Sequence, residues 1–238
     1  MKTALALAAS LAASLAVVGA TWGGARGALA ASAPRGGALV VKASPAVSPC
    51  VAAAAAAFRQ ATGAAVDVRT AAIGPVGSAA GADVVVAIEE ELTRVIEGGE
   101  SAPDLEVDVA SIPWVLTGAG GGTADLRGLA RSGARVRVLG GAIGRHARQS
   151  LESLPAERVQ TVRTPDGLRK LSPGELALVP LSLADPGPVA ATDVPALVAQ
   201  AVGVRGSPRA GAARAFLDFL ATGPGNAAFR SCGRVSDR

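Results

Sequence analysis

Short apolar runs alternate with longer amphipathic or alanine-rich stretches along most of the chain. Ala38-Leu39-Val40-Val41 has the character of a buried strand. The turn Ser44-Pro45-Ala46-Val47-Ser48-Pro49 then leads into a helix predicted over about 51–61, where the alanine run gives near-maximal helix propensity and Gly63 supplies the stop. Val66 to Val68 predicts the next strand. After a Gly-rich loop, Ala82-Asp83-Val84-Val85-Val86-Ala87-Ile88 reads as a central parallel strand. Glu89-Glu90-Glu91 opens a helix that stops at Gly98-Gly99. Acidic residues favour the positive end of a helix dipole, and a solvated first turn is the simplest reading of all three.

The same alternation continues. Strands are predicted at 114–116, 135–139, 159–162, 175–179 and 197–204, with a Gly-rich loop over 118–122. Helices are predicted at 125–131, 143–154, 212–220 and 225–231, the last two separated by the breaker Gly223-Pro224. Such a β–α order implies α/β layers around parallel sheets. There is no internal repeat of fixed period, and no low-complexity linker beyond the segment 31–37.

The first residues follow a different rule. Lys2 gives a positive start, Ala4 to Ala20 form an apolar run broken only by small polar residues, and Ala28-Leu29-Ala30 is an A-x-A pattern. That is the pattern of an export signal, 1–30, removed by a signal peptidase. A membrane anchor is the alternative, but the run is alanine-rich and near the lower length limit for spanning. No paired arginines precede the run, which favours the general secretory route over the twin-arginine one. No cysteine at the cut supports a lipid anchor.

Composition narrows the function classes. The 238 residues are 50% hydrophobic with a net charge of +4, which excludes disorder. Removing the leader takes away Lys2 and Arg26 and leaves +2, with positive residues scattered rather than clustered. Nucleic acid is therefore not expected as a partner. A 3% aromatic content without tyrosine also excludes a base-stacking platform. Two cysteines are too few for a disulfide-dense scaffold. In an oxidising compartment Cys50 and Cys232 could form a bridge, and two buried thiols are the equal alternative.

Candidate chemistry is sparse. The single histidine, His146, lies in Arg145-His146-Ala147-Arg148 and reads as a surface residue on a basic helix face. A serine nucleophile served by it lacks the G-x-S-x-G elbow, so an exported hydrolase using Ser44 or Ser48 is a minor reading. No metal-ligand spacing is visible, no cofactor is expected, and Gly118-Ala119-Gly120-Gly121-Gly122 matches neither phosphate-loop nor dinucleotide spacing. What remains is a set of strand-to-helix turns rich in small residues. Amide donors and the dipole at helix starts bind oxyanions, and hydroxyls add donors. Ser44 and Ser48 sit at the first such turn, where a helix-capping role is the alternative, more so for Ser48.

Several of these stretches resemble the periplasmic molybdate-binding proteins of ABC importers, in the type II solute-binding fold. The C-terminal segment Ala212-Ala213-Arg214-Ala215-Phe216-Leu217-Asp218-Phe219-Leu220, then Gly225-Asn226-Ala227-Ala228-Phe229, is similar to the family's A-A-x-x-F-x-x-F-L…G-x-x-x-F ending. Ala82 to Val86 with its acidic sequel, Gly144 to Leu154, and Gly174 to Ser182 are similar in kind. The resemblance spans nearly all of the chain after the leader.

The resemblance implies a two-lobed α/β protein with mainly parallel sheets flanked by helices. Lobe I would be 38–112 plus 197–238, lobe II 113–196, with the ligand cleft between them. It implies no catalysis but capture of a small tetrahedral oxyanion, molybdate or tungstate first, by an extracytoplasmic monomer that delivers it to an ABC permease. Lys42-Ala43-Ser44 stands where the family has A-A-S, so Ser44 and the Ala43 backbone carry over, while Lys42 either adds direct charge or is solvated at the cleft edge. Backbone donors are expected at Gly74 and Ala142, and Pro180 ends the strand that in the family often presents a tyrosine.

Departures from the family weaken the ligand assignment. Ala71-Ala72-Ile73-Gly74-Pro75 lacks the family's serine pair, with Ser78 the nearest hydroxyl, and the turn Gly140-Gly141-Ala142-Ile143 is short. Each missing hydrogen bond to a charged guest would weaken binding by roughly 1.5–3 kcal/mol. A paralogue that kept the fold but lost the site, serving as a sensory or interaction protein, is therefore the main alternative. The family fold also returns the C-terminal helices to lobe I, which implies a disulfide between Cys50 and Cys232.

Overall fold

The apolar runs form two five-stranded sheets in the computed structural model, which describes residues 37–75, 77–118, 126–185 and 189–231. The expected leader, the loop after Gly118 and Cys232 lie outside the described residues. The first part of the chain supplies β1 (Leu39–Ala43), α1 (Ser48–Thr62), β2 (Val66–Thr70), β3 (Val84–Ile88), α2 (Glu89–Glu97) and β4 (Ser101–Ile112). The middle supplies β5 (Trp114–Gly118), α3 (Leu126–Ser132), β6 (Arg135–Leu139), α4 (Gly141–Ser150), β7 (Val159–Val162), α5 (Pro165–Arg169), β8 (Glu175–Pro180) and β9 (Val189–Ala191). The end supplies β10 (Leu197–Val204), α6 (Ala210–Ala221) and α7 (Gly223–Ser231).

The first sheet has the order β2-β1-β3-β10-β4 and the second β7-β6-β8-β5-β9. In the first, β2, β1 and β3 are parallel, and β10 runs antiparallel to both of its neighbours. In the second, β7, β6 and β8 are parallel, and β5 is the reversed strand. Four of five strands in each sheet thus point one way, as the β–α alternation predicts. The chain passes between the sheets twice, at Pro113 and between β9 and β10.

Local chemistry explains the elements. All five residues of β3 are buried, which matches an apolar run with no polar alternation. Helix α1 ends at Gly63, whose φ of 74° lets its N–H donate to the Arg59 carbonyl at 2.9 Å. A side chain at Gly144 would collide with the Leu139 carbonyl, so only glycine lets α4 lie that close to β6. The pair Gly223-Pro224, expected as a break, instead opens α7; a proline in a first turn has no intrahelical N–H to lose.

Aromatic packing ties the C-terminal helices to the first sheet. Phe58 of α1 meets Phe216 and Phe219 of α6 edge-on, with ring centroids 5.2 Å apart in both pairs. Buried Asp83 adds a polar knot. Its carboxylate accepts from the Val40 N–H at 2.8 Å, the Ser207 hydroxyl at 2.7 Å and Arg209 at 2.9 Å, pinning β1 and β3 to the approach to α6. Strand β4 was not expected from the sequence; it is an edge strand carrying Pro103, Asp104, Glu106 and Asp108. Proline and charge are typical of edges, and they mask the strand pattern.

Candidate functional site

In open α/β sheets, ligands bind in the crevice outside the carboxyl ends of the strands. Here two side-chain contacts bring those ends of the two sheets together. Ser182, just after β8, donates its hydroxyl to the Ala46 carbonyl in the turn after β1. Arg145, in the first half of α4 after β6, grips Glu90 of α2 after β3, with N–O distances of 2.6 and 3.2 Å. Each contact joins one sheet to the other, so the ends of β1, β3, β6 and β8 face a common crevice.

The first-sheet wall of that crevice holds its most unusual groups. Ser44 is fully buried, and its backbone N–H is taken by the Val86 carbonyl at 3.0 Å. Its hydroxyl is buried without a hydrogen-bond partner, although it lies close enough to the Glu91 carboxyl to favour that group's charged form. Glu91 is only 8% exposed. Burial pushes its carboxyl above the ordinary carboxylate range, opposed by Ser44 and by the Ile88 N–H, which it accepts at 3.4 Å. Neighbouring Glu90 raises it further, and Arg145 lowers it. The expectation of a solvated first turn therefore holds for exposed Glu89 and Glu90 and fails for Glu91. Glu91 shares a helix face with buried Leu92 and Val95, which turns it inward.

The other expected residues fall as follows. Lys42 alternates with Ala43 on β1, and its ammonium donates to the Ser78 and Ala80 carbonyls at 2.9 and 2.7 Å, holding the Gly-rich loop instead of facing a guest. Ala43 is buried, and its carbonyl accepts from Ala71. Gly74, at φ 116°, lies beside α2, and its N–H donates to the Ser78 hydroxyl at 3.3 Å. Ser48 begins α1, and its hydroxyl pairs with that of Thr70 at 2.5 Å, with no side-chain cap on the helix. Ala142 is half-buried in the first turn of α4, where N–H groups lack partners within the helix. Pro180 closes β8 opposite Trp114, and the next amide, of Leu181, is taken by the Pro113 carbonyl at 2.8 Å.

His146, expected on the surface, is half-buried. Its ring stacks on Trp114, with centroids 5.7 Å apart and planes within 7°, and Nε2 lies 3.2 Å from the Pro195 carbonyl. It therefore touches both segments that cross between the sheets. Cys50 is buried in the first turn of α1 and shares a cavity of about 30 Å³ with Ser182, Phe229 and Arg230. Ser182, Arg145 and the inward Glu91 are the crevice residues that the sequence did not single out. Only Glu91 carried a local signal, its helical spacing from Leu92 and Val95.

Among the described residues no cluster of His, Cys, Asp or Glu could hold a metal ion, and no helix is long and apolar enough to cross a membrane. The sequence matches no protein-family profile and no curated relative. Solved structures do match. The periplasmic molybdate-binding protein of Azotobacter vinelandii superposes with a TM-score of 0.69 at 19% identity, covering 84% of this chain and 100% of that one. The sulfate-binding protein of Mycobacterium tuberculosis gives 0.66 at 19% identity, over 83% of this chain and 86% of that one. L-phospholactate-bound PEB3, a protein known from Campylobacter jejuni, gives 0.63 at 14%, over 82% and 98%. With two sheets of matched strand order, two crossings between them and these neighbours, the chain has the type II periplasmic-binding-protein fold, as a divergent example of it.

Proposed function

We propose that the chain is an exported binding protein that captures a small tetrahedral oxyanion in the crevice and hands it to an ABC permease. Residues 38–112 with 197–238 serve as lobe I and 113–196 as lobe II. The observation that carries this reading is the Ser44 hydroxyl, buried at the carboxyl end of β1 without a partner. An unsatisfied buried hydroxyl costs about 1–3 kcal/mol, which a guest that accepts its proton would recover. The first turn of α4, at Ala142, supplies amide donors from the opposite wall, while Ala43, Gly74 and Pro180 shape the seat. Lys42 is left out because two carbonyls already hold its ammonium. The matched structures support the ligand class through their own descriptions as molybdate- and sulfate-binding proteins.

Molybdate and tungstate, first on the sequence resemblance, are tested beside sulfate and phosphate by thermal shift of the purified chain. A guest at about one hundred times its dissociation constant stabilises by about 2.7 kcal/mol, or roughly 5–10 °C for a chain of this size. A flat response to all four overturns the proposal. It would favour the second reading, a sensory or interaction paralogue, to which the Ser182–Ala46 and Arg145–Glu90 contacts lend weight because they join the lobes without a guest. A Cys50–Cys232 disulfide, stapling the tail to lobe I, belongs to the same proposal. Burial of Cys50 beside Arg230, two residues before Cys232, supports it, and mass spectrometry of the unreduced chain tests it.

A further inference from the structure

A second hollow, of about 500 Å³, lies between α3 and the end of α4, within the size range of small-molecule sites. Helix α3 leads into β6, and Ser150 ends the helix that follows β6. The hollow is therefore toward the amino end of that strand, away from the carboxyl ends that face the crevice. Leu126 and Ala130 give it an apolar strip and Arg127 and Arg131 a cationic one, each pair one helical turn apart. Ser150 and Ser153 line the opposite side, because Leu151 and Leu154 turn inward to the core.

The charges here are unspent. Among the described residues neither Arg127 nor Arg131 meets a carboxylate. Like charges one turn apart oppose each other on a helix, so the pair carries a cost that an anion between them would remove. Nor does the end of α3 repel an anion. The carbonyls of Leu129, Ala130 and Ala134, which would present negative charge there, accept from the Arg158 guanidinium at 2.8, 3.0 and 2.8 Å.

We propose that this hollow is a second ligand site, for an organic phosphate ester whose apolar part lies on Leu126 and Ala130. Two planar guanidinium forks with serine hydroxyls beside them offer more donors than the two oxygens of a carboxylate can take, and the three terminal oxygens of a phosphate ester match them better. The site shares no residue with the crevice and does not depend on the oxyanion reading.

The test is calorimetric titration with phenyl phosphate at neutral pH and low salt, on the wild-type chain, on R127A/R131A and on S44A. The wild type and S44A are expected to bind it equally, and R127A/R131A at least about tenfold more weakly. Benzoate should bind the wild type less tightly than the ester, and phenol, which lacks the anion, should not bind. No binding of phenyl phosphate by the wild type overturns the inference, as does equal binding by R127A/R131A or a loss confined to S44A, which would place the ester in the crevice. Benzoate or phenol binding as tightly as the ester overturns the ligand class. If R127A/R131A melts well below the wild type, the wild-type amide resonances of 126–132 and 150–153 decide: they move with added ester if the site is real, and their standing still overturns it. None of these outcomes touches the crevice proposal, which inorganic oxyanions test by themselves.

Discussion

The two lobes repeat one strand order yet treat a carboxyl group in opposite ways. In the second sheet, Glu175 at the start of β8 meets Arg137 at 2.7 Å and accepts the Ser172 N–H at 2.8 Å. The Ser172 amide, with Arg137 assisting, holds it below the ordinary carboxylate range against the pull of burial. In the first, Glu91 has one long amide contact, at 3.4 Å, and burial drives it the other way. The Arg137 guanidinium also donates to the Gly167 and Lys170 carbonyls, so its carboxylate belongs to a structural lattice. Glu91 belongs to none. A carboxyl group with its partners in place holds a fold together, and a buried one with few of them is a cost to it.

That contrast can be broken in several ways. The largest effect is expected far from the crevice, where the first lobe relies on aromatic packing. Phe216→Ala should cost about 3–5 kcal/mol in chemical denaturation, because a fully buried ring is lost and Phe58 loses its edge-on partner. Ser182→Ala removes the donor that joins β8 to the first turn and should cost about 1 kcal/mol, with a larger radius of gyration in solution scattering. A loss of stability without expansion would mean that the bond does not hold the lobes together.

The carboxyls give the sharper test, and the signs oppose. Glu91 has its folded pKa raised, so its ionisation weakens the fold as pH climbs through the ordinary carboxylate range to the raised value. E91Q should therefore melt a few degrees higher than the wild type near neutrality, with the gain vanishing below the ordinary carboxylate range. Glu175 has its folded pKa lowered, so its contribution is present above the ordinary range and disappears as pH falls through the lowered value. E175Q should melt lower at neutral pH and converge on the wild type in acid. Melting curves of both variants across pH that run parallel would erase the distinction between the lobes. The smallest effect belongs to Arg145→Ala. Its ion pair with Glu90 is half exposed on both sides, so stability should change by only about 0.2–1 kcal/mol, and less in high salt.

Much of the architecture was legible in the sequence because buried strands of an α/β sheet are continuous apolar runs. Val84 to Ile88 and Leu197 to Val204 could hardly be anything else. The alternating, acidic β4 was not legible, since an edge strand has one ladder and a wet side, and its pattern resembles a loop. The position of Ser44 at the end of the first strand was legible from the sequence. Glu91 was hidden among three consecutive glutamates, which look equivalent until the helix turns the third inward. Ser182 and Arg145 carried no signal at all. Their partners lie 136 and 55 residues away, and no spacing rule reaches from one sheet to the other.

The placement of β10 also orders how the chain can be built. It sits between β3 and β4, and its residues come after the whole second sheet. The second lobe is one uninterrupted stretch and can form as soon as it is made. The first cannot close its sheet, or bury Phe58, until nearly the last residues have arrived. Such an order suits the export proposed above, because a chain threaded through a membrane pore before it folds would make its longest-range strand pairing last.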